Sequence, residues 1–282
     1  MSVQSTIEAA AASLSPSERR VADSIRANPG IVLTHSITGL AEASRTSVAT
    51  VVRFCRSVGL AGYSQLRMRL ATELGMEAAQ FGPTLSSGAD IRTDDTLADA
   101  ISKIASLEKL AIDETVAGVD VAALDALAEG IDRASKLLSF GMGASHYVAQ
   151  DLAQKLARMS YPVFCPLDSH DAWAHAALAP PETVSIGFSH SGETAETVRF
   201  LRLSADQGHT TVAVTSVPDS TVAQAASVVI RTVARDTSLR AGAMVSRIAQ
   251  LCVVDLICVA LARRHYDDTV GALSLAGRVI KI

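Results

Sequence analysis

Ser189, Ser191 and Thr194 place three hydroxyls within six residues, with Gly192 and Glu193 among them. They follow the apolar run "TVSIGF" and precede "TAETVRFLRLSADQG", whose apolar spacing predicts a helix. The start of a helix presents unpaired N–H groups and about half a positive charge, so it attracts anions. Hydroxyls at that mouth add donors, and Gly192 lets the chain fold around a guest. A cap requires one hydroxyl. Three of them, with Ser145 at another strand exit, exceed that need. The loop holds no Lys or Arg, so its donors are neutral and dense. A phosphate monoester, with three acceptor oxygens, suits such a nest better than a carboxylate.

A second glycine-bearing exit reads "SFGMGASHYV", with Gly141, Gly143 and Ser145. A dinucleotide fingerprint requires a third glycine where this chain has His146. Asp168, after the next strand, could serve as the ribose-binding acid, but the missing glycine weakens the nicotinamide reading.

These loops need a scaffold. Two helical stretches, 96–117 and 120–134, precede an alternation of strand-like and helical segments. The strands are "KLLSFG", "PVFCPL", "TVSIGF", "TTVAVTSV" and "VVIRTVA". Short apolar strands alternating with helices predict parallel βαβ units, hence a doubly wound α/β sheet covered on both faces. Such sheets bind ligands at the carboxyl ends of their strands, where strand order reverses.

Gly, Pro and Ser clusters break the periodicity from Gly75 to about Asp95. Domains are therefore expected at 1–76 and 96–282, with a linker at 77–95. In the first, Ser15-Pro16 and Pro29-Gly30 bound a helix. "SITGLAEASRTSVATVVRFCRSVGL" then holds two short helical patterns separated at Ser44-Arg45-Thr46, a small all-α helix-turn-helix arrangement. Val51, Cys55 and Val58 share one apolar face. Ser47, Thr50 and Arg53 share another, with Ser47 placed to cap the helix.

Charge agrees. The net charge is −4, yet residues 1–76 carry eight Arg against five acidic residues. From Ala43 to Thr72 there are five arginines (Arg45, Arg53, Arg56, Arg67, Arg69) and no acid. Such cations neutralise phosphates, and short polar side chains can reach base edges. The four cysteines form no CxxC pair, so neither a disulfide framework nor a metal site is expected, which suits a reducing cytoplasm. The N-terminus lacks the order of a secretion signal. The apolar run Ile248–Ala262 carries Gln250 and Asp255 and reads as a buried helix rather than a membrane span.

"GFSHSGETAET" together with "GMGAS" resembles the sugar isomerase (SIS) domain, whose phosphosugar loop commonly reads S-x-S-G-x-T. "SVATVVRFCRSVGLAGYSQLRMRLA" looks like the helix-turn-helix of the RpiR family of bacterial regulators, and "RAGAMVSRIAQLCVVDLICVAL" like a stretch near that family's C-terminus. The resemblance implies a transcriptional regulator of carbohydrate metabolism whose SIS domain senses a phosphorylated sugar or sugar acid. It assigns Gly143, Ser145, Ser189, Ser191 and Thr194 to the phosphosugar, with backbone help from His190 and Gly192. Glu193, Asp168 and His170 fall nearer the sugar, and Arg240 and Arg247 are weaker candidates. Ser47, Thr50 and Arg53 would face the DNA groove, with Arg45, Thr46 and Arg56 near phosphates. The implied partners are a double-stranded DNA operator, a phosphosugar effector, and further copies of the chain in a homodimer or homotetramer. No cofactor is expected. The rival reading is a phosphosugar isomerase with Glu193 and one of His170, His175 or His190 as acid and base.

Overall fold

Ser15 and Pro16 start the second helix of the chain as their order predicts. Ser15 Oγ accepts from Glu18 N, and the Glu18 carboxylate accepts from Ser15 N at 3.1 Å, a complete capping box. The computed structural model, which describes residues 2–11, 13–81, 91, 93–234 and 244–280, divides into two units. One comprises Met1–Glu114 with Val233–Val245, the other Thr115–Thr232 with Ser246–Ile282.

The first unit holds α1 (Val3–Ala10), α2 (Pro16–Ala27), α3 (Ile31–Thr34), α4 (Ile37–Ala43), α5 (Val48–Ser57), α6 (Tyr63–Phe81) and most of α7 (Leu97–Ala117). Val21, Ile25, Leu40, Val51, Phe54, Cys55, Leu66 and Leu70 form its core. The second oxygen of Glu18 accepts from Ser57 Oγ at 3.0 Å, tying α2 to the end of α5. One expectation fails here. The sequence places a break in periodicity at Gly75 and a linker from residue 77, yet α6 runs through Gly75 to Phe81. Tertiary contact holds it. The Glu73 carboxylate accepts from Val3 N at 2.6 Å and Gln4 N at 3.2 Å, so it caps α1, while Leu74 and Glu77 are buried. The remainder of that stretch, residues 82–90 and 92, lies outside the described residues.

The second unit begins with α8 (Val121–Arg133), capped by Asp120. Then follow β1 (Lys136–Gly141), α9 (Ala144–Arg158), β2 (Val163–Phe164), α10 (Ser169–Leu178), β3 (Thr183–Phe188), α11 (Ala195–Asp206), β4 (Thr210–Thr215), α12 (Thr221–Gln224), β5 (Val228–Arg231), α13 (Met244–Arg264) and α14 (Tyr266–Ile280). The strands form one parallel sheet in the order β2-β1-β3-β4-β5. Side chains of α8, α9 and α13 bury one face; those of α10, α11 and α12 bury the other. The second strand is shorter than "PVFCPL" suggested, because Pro162 and Pro166 bracket it and donate nothing to a ladder. Among the described residues α13 is the one helix long and apolar enough to cross a membrane. Its Val253, Val254, Ile257 and Leu261 are buried in the core against the sheet, as the apolar run suggested.

Candidate anion site and nucleic-acid interface

Strand order reverses between β1 and β3, and the two pair in register through Gly141 and Phe188, their last residues. The loops Met142–Ser145 and Ser189–Thr194 therefore leave the sheet side by side. The helices they start, α9 and α11, pack on opposite faces. This is the crevice in which doubly wound sheets hold ligands.

Both helices begin without a side-chain cap. The N-cap of α9 is Gly143, at φ 57°, and that of α11 is Thr194; neither makes a capping hydrogen bond. The neighbouring α10 and α12 are capped, by Asp168 and Ser220. Two adjoining helix starts without side-chain caps bring two positive dipole ends together, which suits an anion.

The nest between them is held in advance. Ser189 is buried, its Oγ accepting from Gly192 N at 3.1 Å and sharing a 3.0 Å hydrogen bond with Thr194 Oγ1. Ser191 Oγ accepts from Glu193 N at 3.3 Å. The His190 carbonyl accepts from Ser216 Oγ at 2.7 Å and Ser216 N at 3.2 Å, and the Gly192 carbonyl from Val222 N at 2.8 Å. Gly192 sits at φ +71°, and a Cβ there would lie 2.0 Å from Ser220 Oγ. Only glycine fits. The exit of β4 thus shapes the loop, a part the sequence reading missed; the Ser-Thr pair after that strand was the available signal.

Glu193 is spoken for. Its carboxylate accepts from Thr221 N at 3.0 Å and Thr221 Oγ1 at 2.6 Å. These hydrogen bonds hold its carboxyl below the usual carboxylate range. Asp168 likewise caps α10, one carboxylate oxygen accepting from Asp171 N at 3.0 Å. His170 stands against Trp173, ring centroids 5.4 Å apart. Trp173 Nε1 donates to the Glu196 carbonyl in the first turn of α11 at 3.1 Å, which anchors α10 to the nest. His175 lies by Lys136, at the opposite end of β1.

The loop's own donors are neutral, but the assembled site is not. Arg247, on α13, donates from Nη1 to the buried Ser145 Oγ at 2.9 Å. The spacing of residues gave no hint of this contact; only the resemblance pointed to Arg247. Arg240 lies outside the described residues.

In the first unit α4 and α5 meet at residues 44–47. Ser47 caps α5, its Oγ accepting from Thr50 N at 3.2 Å. Arg45, Ser47, Arg53 and Arg56 are exposed and Thr46 is partly so. Thr50 departs from its expected place. It is 4 % exposed, its hydroxyl bonded to Ser47 Oγ and accepting from Arg53 Nη2 at 3.1 Å. It orients Arg53 instead of facing solvent, because the polar stripe meets the core at that position. Arg20, from α2, donates to the Arg45 carbonyl at 3.3 Å and brings a further cation to the turn.

Residues 1–77 match the model of the helix-turn-helix domain of the rpiR family, and residues 130–260 that of the SIS domain. An HTH-type transcriptional regulator of Caldanaerobacter subterraneus subsp. tengcongensis is 34% identical over 280 residues, covering 99% of this chain and 97% of that one. The chain belongs to the rpiR family of helix-turn-helix transcriptional regulators. A second HTH-type transcriptional regulator, from Haemophilus influenzae, is 32% identical across 90% of this chain and 88% of its own. Among solved structures, Vibrio vulnificus NanR complexed with ManNAc-6P matches with a TM-score of 0.61 and 25% identity, covering 99% and 97% of the two chains. The sugar isomerase domain of a Sphaerobacter thermophilus RpiR transcription factor, at 22% identity and TM-score 0.57, covers 62% of this chain and 97% of its own. It shares the fold of the doubly wound SIS-type sheet.

Proposed function

We propose that this rpiR-family regulator binds operator DNA through α4 and α5 and answers to a phosphorylated sugar or sugar acid held at the exits of β1 and β3. One observation carries the effector assignment. The helices at the switch point, α9 and α11, lack side-chain caps while their neighbours have them, and the positive ends of two adjoining helix dipoles favour an anion there. Ser145, Ser189, Ser191 and Thr194 supply the hydroxyls around it. NanR, similar over nearly the whole chain, was solved with ManNAc-6P, a ligand of this class.

Arg53 reads the groove with Thr50 behind it, and Arg45 and Arg56 meet phosphates. A dimer would set two readers about 34 Å apart on a pseudo-palindrome. The cytoplasm suits the chain: all four cysteines are free thiols, and burial pushes Cys55, Cys165 and Cys258 up to about 11, so they are unreactive.

Less supports the isomerase reading. Glu193 is tied to Thr221 with its carboxyl held low, which leaves it a weak proton acceptor near neutrality, and His175 lies at the far end of β1. The named relatives are regulators.

A thermal-shift panel of sugar phosphates and phosphorylated sugar acids tests the proposal. At least one compound should raise the melting temperature of the parent, and Ser189→Ala with Ser191→Ala should abolish the rise. A double variant that responds like the parent would remove the loop from the site. The same compounds, incubated with the protein, should yield no ketose from aldose.

A further inference from the structure

Arg247 approaches Ser145 with a partner of its own. The Nη1 that donates to Ser145 Oγ at 2.9 Å also donates to Gln250 Oε1, one turn along α13. Gln250 is 0 % exposed, and its Nε2 has no hydrogen-bond partner. An unpartnered buried amide is costly, yet this orientation keeps the carbonyl oxygen on Arg247. A serine hydroxyl that accepts from a cation still has its own proton to give. Its polarisation by the guanidinium strengthens that donation. Ser145 is the second residue of α9, whose first amides have no side-chain cap. A guanidinium, a hydroxyl donor and a helix start therefore converge at the exit of β1, beside the nest at the exit of β3.

We infer that Arg247, positioned by Gln250, is the charged contact to the effector's phosphate, gripping from the β1 side the group that the Ser189–Thr194 loop holds from the β3 side. The inference rests on the phosphosugar reading and deepens it. A fixed cation makes the site favour the phosphate dianion over the monoanion, which neutral hydroxyls alone would discriminate far less. Gln250 touches no ligand and acts through Arg247.

Inorganic phosphate, whose dianion forms across neutral pH, is the probe. Its affinity for the full chain is followed by calorimetry from mildly acidic to mildly alkaline pH. The parent should bind more tightly as the dianion forms. Arg247→Gln should weaken binding about tenfold or more, the worth of a charged hydrogen bond, and flatten the pH profile. Gln250→Glu, which sets a carboxylate against the guanidinium, should do the same while the melting temperature without ligand is maintained; a purely structural glutamine would leave the pH profile unmoved. Parental affinity and profile in both variants would overturn the inference. If Ser189→Ala with Ser191→Ala then still abolishes binding, the phosphate loop stands and only the role of Arg247 falls. If the parent binds no phosphate, both fall together.

Discussion

Arg45 occupies a backbone position that glycine usually fills. The C-terminus of α4 closes with Arg45 N donating to the Glu42 carbonyl at 2.9 Å and Thr46 N to the Ala41 carbonyl at 2.8 Å, with Arg45 at φ 50°. This is a Schellman motif with an arginine at its left-handed residue. Such a conformation costs a non-glycine residue roughly 1–2 kcal/mol. Glycine recovers part of that cost and forfeits some through its freer unfolded chain. Arg45→Gly should therefore stabilise the protein by up to about 1 kcal/mol in denaturant unfolding. It should also weaken operator binding and lower the slope of log affinity against log salt by about 0.9, one phosphate contact. An unchanged slope would place Arg45 off the DNA. The neighbouring stripe of Ser47, Thr50 and Arg53 was readable from spacing, because residues three apart share a helix face. That Thr50 is buried was not readable, since periodicity does not say where the edge of the core falls.

At the level of elements, the strands, the helices between them and the cap-like starts were legible, because apolar periodicity and capping chemistry are local. The extension of α6 was not. Gly75 breaks the helix on propensity, and contacts with a segment 70 residues away override it. A Cβ at Gly75 would meet nothing within 4 Å. Gly75→Ala should hence stabilise the protein by about 0.5–1 kcal/mol, read as a rise in melting temperature of a few degrees. A fall would mean that α6 is not continuous through this position. The short helix α1 likewise escaped notice, for its cap comes from Glu73 as well as from Ser2.

For the molecule as a whole, reader and sensor are joined by three crossings of the chain, at Glu114–Thr115, Thr232–Val233 and Val245–Ser246. Arg247 stands two residues beyond the last of them. If effector and operator bias one equilibrium, the factor by which each changes the other's affinity must be equal. Allosteric couplings of about 1–3 kcal/mol correspond to roughly 5–150-fold. Calorimetric titration of the effector with and without operator DNA should return the factor seen when DNA is titrated with and without effector. A large effect in one direction with none in the other would refute a single linked equilibrium.

The hydroxyl-rich loop, the glycine-bearing strand exits, the helix-turn-helix spacing and the opposite charge of the front segment were all present in the residue order, because donors, turn residues and apolar periods act over a few positions. Residue order alone did not disclose that Glu193 and Asp168 spend their carboxylates on helix starts, or that Gly192 is wedged against Ser220. Nor did it reveal how Arg247 and Gln250 bring a cation to Ser145, 102 residues away. Those outcomes depend on which loops the parallel sheet sets side by side, and a contact between distant segments leaves no period in the chain.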